Sequence, residues 1–381
     1  MELYLIALKE LGLDNMTLNY IALNCTFEEV HEIFSGHYLS IQLSKNINLD
    51  KYSSKLSDLV LMQEYLKKAK NIIKKNKKNK IKFVCIHQKS YPQNLKKLAD
   101  APTILYFKGR GFYKKHIKAL ACVGTRTPTP FGVSAVESLI PKWVNEDFTI
   151  VSGLAEGIDT VSHTTCLKNN GTTIAVLAHG LDMIYPKSNK DLADTILQSN
   201  GLLVSEYPIG TPPEKHHFVN RNRIVSGLSK GVVVFETKAK SGSMHTVNFA
   251  ISQERPVFCP LPDMAKPQTE GLLKLLNEKK AVAIQGKNRY EKAIILTGYK
   301  VKKDKAKIQQ LKTISTYNIL NTLDPDINKI HESKISEKKT ATITVDRELY
   351  EKYKQILNKQ NLSSKDLFNA FILSVINSQK T

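Results

Sequence analysis

Short apolar runs alternate with longer amphipathic segments through the middle of the chain, and each run ends in a small polar turn. Ile117 to Val123 stops at Gly124-Thr125-Arg126-Thr127-Pro128, and a helical segment begins near Phe131. Phe148 to Ser152 runs into Gly153-Leu154-Ala155-Glu156-Gly157, and Thr172 to Ala178 into His179-Gly180-Leu181-Asp182. Gly201 to Tyr207 leads to a long polar loop, and Gly231 to Thr237 to Lys240-Ser241-Gly242-Ser243. Apolar, β-branched runs separated by helix-length segments predict an α/β fold, a parallel sheet buried by helices on both faces. In such a sheet the loops leaving the strand ends converge on one edge, where ligands bind.

The flanks follow other patterns. Residues 1–80 read as a small helical domain: Leu3, Leu5, Ile6, Leu8 and Leu11 make an amphipathic opening, and Thr26-Phe27-Glu28-Glu29-Val30 carries a helix-cap start. Lys67 to Lys80 holds eight lysines, with Leu66, Ala69, Ile72 and Ile73 on a helical face. That run fits a solvated face, and a DNA-backbone contact is the alternative. A strand is expected over Lys82 to Ile86, opening a core domain over 81–295. Glu270 to Lys280 reads as another helix. Residues 296–340 read as a basic flexible linker, with Lys300 to Lys307 and a turn at Asp324-Pro325-Asp326. The tail, 341–381, restarts with Thr342-Ile343-Thr344-Val345 as a strand, then a helix carrying Leu349, Tyr353, Ile356 and Leu357 and another carrying Leu367, Phe368, Phe371, Ile372 and Val375. So short a module cannot bury that apolar surface alone. It resembles a dimeric ribbon-helix-helix, whose strands would present Thr342, Thr344 and Lys339 to the major groove of duplex DNA. A plain oligomerisation tail fits the pattern equally.

Charge narrows the class of partner. Lys and Arg number 56 against 35 Asp and Glu, a net +21 with a pI near 9.5, which favours a polyanion. A base-biased composition is the plain alternative. Five cysteines stand far apart without CxxC spacing and read as small buried hydrophobes of a reducing cytoplasm. No apolar stretch approaches ~20 residues and the N-terminus is no signal peptide, so a cytoplasmic location is expected.

Candidate chemistry lies in the turns. The dinucleotide fingerprint G-x-G-x-x-G and the P-loop are both absent, which disfavours nicotinamide and P-loop ATP chemistry. Asp159 and His163 sit four apart on an expected helix with no nucleophile beside them, and read as a capping Asp and a semi-buried His. His179, His216, His217 and His245 are spaced too irregularly for metal ligation. Binding groups are more plentiful. Arg126 beside Gly124 and Thr125 would clamp a phosphate with backbone N–H groups and a guanidinium. Lys215 precedes a helix start, and Phe218 offers a face on which a base can stack. Arg221 and Arg223 continue the basic track, or one of them pairs with Glu206.

Taken in order, these motifs resemble a known family. Val123-Gly124-Thr125-Arg126 with Pro130-Phe131-Gly132 is its first-turn signature, and Ser152-Gly153-Leu154-Ala155-Glu156-Gly157-Ile158-Asp159 with His163 its second. Gly180-Leu181-Asp182 with Tyr185-Pro186, Ser205-Glu206-Tyr207-Pro208, Phe218 with Arg221-Asn222-Arg223-Ile224, and Ser241-Gly242-Ser243 complete the series. The chain resembles the DNA-processing protein A family (DprA, or Smf) from about Tyr91 to Asp263, and its N-terminus resembles that family's sterile-alpha-motif-like domain. The resemblance implies an extended Rossmann fold without catalysis, and the residues themselves lead us to expect no cofactor and no metal. It implies a homodimer that binds single-stranded DNA and loads the RecA recombinase onto DNA entering during natural transformation; no membrane partner is expected from the lack of a long apolar stretch. By the same resemblance Arg126 and Lys215 hold phosphates, Phe218 stacks on a base, and Gly124, Thr125, Ser241, Gly242 and Ser243 line the pocket.

Two departures stand out. Leu261-Pro262-Asp263 replaces the Pro-Gly that ends the last strand in many members, and the tail does not look like their winged helix. Other functions remain as rivals: a nucleotide-sensing protein, a mobile-element maintenance or defence factor, or a phosphoribohydrolase of the cytokinin-activating type. The last uses Gly-Gly-x-Gly-Thr-x-x-Glu, and here Phe249 occupies the position of the catalytic Glu, which argues against hydrolysis.

Overall fold

The computed structural model describes residues 1–262 and 267–300, which lie in one compact unit. The expected tail, all of the linker beyond Lys300, and Asp263 at the exit turn fall outside the described residues. Among the described residues nine strands form one sheet: β1 (Lys82–Cys85), β2 (Ile104–Lys108), β3 (Ala119–Val123), β4 (Thr149–Ser152), β5 (Thr173–Val176), β6 (Leu202–Ser205), β7 (Val232–Val234), β8 (Val257–Pro260) and β9 (Val282–Ile284). Their order across the sheet is β1-β2-β6-β5-β4-β3-β7-β8-β9. From β6 to β9 all neighbours are parallel, while β1 and β2 join antiparallel at one edge. This is a Rossmann-like α/β sheet extended by a hairpin-like pair.

Six helices precede the sheet: α1 (Glu2–Leu11), α2 (Asn15–Asn24), α3 (Phe27–Phe34), α4 (Tyr38–Lys45), α5 (Ser53–Leu56) and α6 (Leu59–Lys78). Asp14 caps α2, and Thr26 with Glu29 forms a reciprocal capping box on α3. The helices α7 (Pro130–Asn145), α8 (Ile158–Lys168), α9 (Lys190–Gln198), α10 (Lys215–Gly227), α11 (Ser243–Ser252), α12 (Glu270–Asn277) and α13 (Gly286–Leu296) alternate with the strands from β3 onward. None is long and apolar enough to cross a membrane among the described residues.

Strand alternation explains the layers. On β3, Leu120 and Cys122 face a core built with Val136, Ile140 and Trp143 of α7, while Ala119, Ala121 and Val123 face the other core with Ile224 and Val225 of α10. Every residue of the central strands is buried, which is why they read as continuous apolar runs. The N-terminal helices join the second core through Leu5, Leu8 and Leu18, and Asn19 fastens them by donating to the Ala101 carbonyl at 2.8 Å and accepting from the Thr103 hydroxyl at 2.7 Å. All five cysteines are buried and unpaired, and burial pushes the Cys85, Cys166 and Cys259 thiols up to about 12.

Chain direction reverses at β3. From there the chain winds outward through β4, β5 and β6, then returns to β7 on the other side of β3. A crevice at the carboxyl ends of β3 and β7 is the position such a topology provides for a ligand.

Candidate nucleic-acid interface

Two loops meet at this crevice, and a buried carboxylate joins them. Thr125 N donates to the Glu236 carbonyl at 2.8 Å, locking the turn after β3 to the end of β7. The Glu236 side chain accepts from Thr129 N at 2.8 Å and from the Thr129 hydroxyl at 2.9 Å, just before α7 begins. Glu236 is fully buried, yet both its oxygens are satisfied. This brace explains the Phe131-Gly132 pair: a Cβ on Gly132 would lie 2.2 Å from Glu236 Oε2. Gly157, at φ +78°, lets the second loop press against the first, where a Cβ would sit 2.4 Å from the Thr125 carbonyl.

Around the brace, Arg126 is exposed and its guanidinium lies 5.9 Å from the centroid of the half-buried Phe218 ring. Tyr185 meets Phe218 edge-on at 5.7 Å. Lys215 is exposed at the first position of α10, whose preceding Glu214 makes no side-chain cap. The starts of α7, α8 and α11 likewise lack side-chain caps, leaving N–H groups and the positive ends of helix dipoles near the loops. Gly242 at the start of α11 has open space where a Cβ would be.

Not every candidate residue faces outward. Arg221 is buried; it donates to the Val176 carbonyl and lies with Asp159 against Gly153, where a Cβ would be 2.4 Å from Asp159 Oδ2 and 2.6 Å from Arg221 Nη1. Burial pushes the Asp159 carboxyl up, against the pull of Arg221. Arg223 is buried too, with Nη2 2.6 Å from Glu206 and Nε 3.0 Å from Asp100. The basic track read through Arg221 and Arg223 is therefore corrected: both charges face internal partners, and Arg223 makes the Glu206 pair left open by sequence. Ser243 is also buried, its hydroxyl 2.7 Å from Thr237 Oγ1 and 3.1 Å from Ser241 Oγ. It shapes the α11 turn from within. Gly124 packs too closely on Ile158 for any side chain, with a Cβ 2.6 Å from Ile158 Cγ1.

Behind the loops, His163 is fully buried where a semi-buried ring was expected. Its Nε2 lies 2.9 Å from the Gly153 carbonyl and its Nδ1 2.6 Å from Thr173 Oγ1. Burial lowers its pKa to about 4, so the ring is neutral with its proton on Nε2, donated to the Gly153 carbonyl, while the Thr173 hydroxyl beside Nδ1 also has the Ile150 carbonyl at 2.9 Å as an acceptor for its one proton. Sequence spacing had set the histidines aside as ligands. The structure nonetheless gathers Glu214, His216 and His217 so that their ligand atoms lie within 4.8 Å of one another. His217 also packs on Tyr207 at 4.0 Å between ring centroids.

Glu236 is the site residue that motif reading missed. Glu236 directly follows the apolar Val232–Phe235 run, and a lone acid at a strand end was its only signal. Tyr185 stood within the quoted Tyr185-Pro186 motif, which gave no sign of its contact with Phe218.

Fold and crevice together define a Rossmann-like α/β protein with a ligand edge at its topological switch point. The family model for DNA recombination-mediator protein A matches residues 82–294. The DNA processing protein DprA of Bacillus subtilis is 38% identical over 217 residues, covering 57% of this chain and 73% of the relative. The X-ray structure of DprA from Streptococcus pneumoniae superposes with a TM-score of 0.60 at 30% identity, over 76% of this chain and 96% of that one. A structure of DNA processing protein A from Helicobacter pylori, described for its single-stranded DNA binding mode, gives a TM-score of 0.51 at 30% identity over 57% of this chain and 97% of that one. The chain belongs to the DNA recombination-mediator protein A family.

Proposed function

We propose that the crevice between the β3 and β7 loops holds single-stranded DNA, with no covalent chemistry. A DNA-processing role follows from family membership, and the single-strand preference is supported by the pairing of an exposed cation with an aromatic face. The observation that carries it is the Arg126 guanidinium over Phe218 at 5.9 Å, beside the exposed Lys215 at the start of α10. Stacking on one aromatic contributes ~1–3 kcal/mol per base whatever the base, while cations and helix N-termini take the phosphates. In this reading a base occupies the Phe218 face, and the Arg126 guanidinium moves to a neighbouring phosphate. Thr125, Ser241 and Gly242 line the approach of the strand, Gly242 with open space where a Cβ would be, while Gly124 lets the turn pack on Ile158.

Fluorescence anisotropy with labelled oligo-dT across a salt series tests the site. Arg126→Ala and Lys215→Ala should each weaken binding for all sequences alike and lower the salt slope by ~0.7. Unchanged slopes in both variants would remove these residues from the interface. Loading of RecA onto DNA during transformation, and dimerisation of this chain, belong to the same proposal and rest on the family resemblance. A RecA filament assay on DNA coated with single-strand-binding protein checks the loading role, and no acceleration by this protein would refute it.

A further inference from the structure

The exposed face of α6 is charged in a way that folding does not require. From Lys67 to Lys80 the chain holds eight lysines and no acidic residue. Met62, Ala69, Ile72 and Asn76 turn inward, and all eight lysines are exposed. Among the described residues only Lys68 of this run has an ion pair, with Glu10 at 2.8 Å. A face serving solubility alone normally mixes both signs, because like charges three or four residues apart destabilise a helix. Here Lys67–Lys70, Lys70–Lys74, Lys74–Lys77 and Lys74–Lys78 are all such like pairs. The helix dipole favours cations in the last turn, which accounts for Lys75, Lys77 and Lys78 but not for Lys67, Lys70 and Lys74.

We infer that this face of α6 is a second nucleic-acid surface, one that binds the sugar-phosphate backbone of duplex DNA without reading sequence. Lys67, Lys70, Lys74 and Lys77 form one stripe about 15 Å long on a straight helix. The segment contains no aromatic residue, so it offers point charges and nothing for a base to stack on. That suits a rigid array of phosphates whose bases are already paired, and it contrasts with the Phe218 site, whose chemistry suits unpaired bases. The surface is separate in residues from the crevice, so the protein can hold a single strand and a duplex together.

The test uses the full chain with Lys67, Lys70, Lys74 and Lys77 all changed to Gln, which keeps helix propensity and removes only charge. Binding is read by anisotropy with a blunt duplex of mixed sequence and with oligo-dT. The expected result is a salt slope for duplex reduced by about 3 to 4, with roughly tenfold or greater loss of affinity at low salt and oligo-dT binding nearly unchanged. Circular dichroism and thermal melting should show a fold at least as stable as before, since the like-charge pairs are gone. An unchanged duplex slope overturns the inference. So does equal loss for duplex and oligo-dT, which would make the stripe a general electrostatic contributor, or binding of phosphatidylserine vesicles without duplex binding. Arg126→Ala serves as the reciprocal control: it should lower oligo-dT binding and leave duplex binding intact, so failure of the crevice and failure of α6 read out separately.

Discussion

At the scale of single residues, the interior of the site depends on protonation. His163 is held neutral against Gly153 and Thr173, its pKa lowered by burial from the usual 6.5 to about 4. A lowered folded pKa means that the stabilising contribution is complete above about pH 6.5 and is lost as pH falls towards 4, because the unfolded chain takes the proton first. The span corresponds to about 3 kcal/mol. His116, also lowered to about 4 by burial, carries the same sign. Urea unfolding should therefore show a marked loss of stability between pH 7 and pH 4.5, and a smaller loss in His163→Gln. An identical pH dependence in the variant would show that the acid sensitivity lies elsewhere. The motif around His163 was legible in sequence, but its full burial was not: an Asp and a His four apart describe a capped helix as well as a packed interior.

Between elements, the organising contact is the Glu236 brace from the end of β7 to the start of α7. Glu236→Ala leaves Thr129 N without its acceptor and removes two hydrogen bonds in a buried place, costing about 2–4 kcal/mol. Denaturant melts should show that loss, and oligo-dT affinity should fall further than stability alone explains, because the turn bearing Arg126 loses its anchor. Retained stability in this variant would refute the brace. The strands themselves were easy to read, since parallel strands covered on both faces admit almost only apolar residues. β9, three residues long and preceded by Lys279 and Lys280, has only the four-residue run Ala281-Val282-Ala283-Ile284 to announce it. The direction of Arg221 and Arg223 was equally hidden. Arg-Asn-Arg in the middle of a helix looks like a basic surface until the partners Glu206, Asp100 and the Val176 carbonyl come into place around it, and those lie on other strands and loops.

On the scale of the whole molecule, Arg126, Lys215, Phe218 and Glu236 all lie within the unit that ends at Val301. A chain ending at Lys300 should bind oligo-dT with undiminished affinity; loss of binding on truncation would move single-strand recognition beyond that point. The fold class followed from pattern because the repeat of strand, small turn and helix is written locally, five times over. The overall charge, by contrast, announced a polyanion without locating it. Only the structure separates Lys215, Arg126 and the α6 lysines, which remain exposed, from the arginines folded inward.

One consequence of the switch point concerns the order in which the chain is made. Thr129 and Glu236 are 107 residues apart in sequence yet touch in the fold. A chain emerging from the ribosome therefore carries Arg126 long before the strand that anchors its turn exists, and Lys215 and Phe218 appear in between. Contacts of such separation form late, after the loops between them have closed. The turn that carries Arg126 is therefore anchored only once the sheet is finished on both sides of β3.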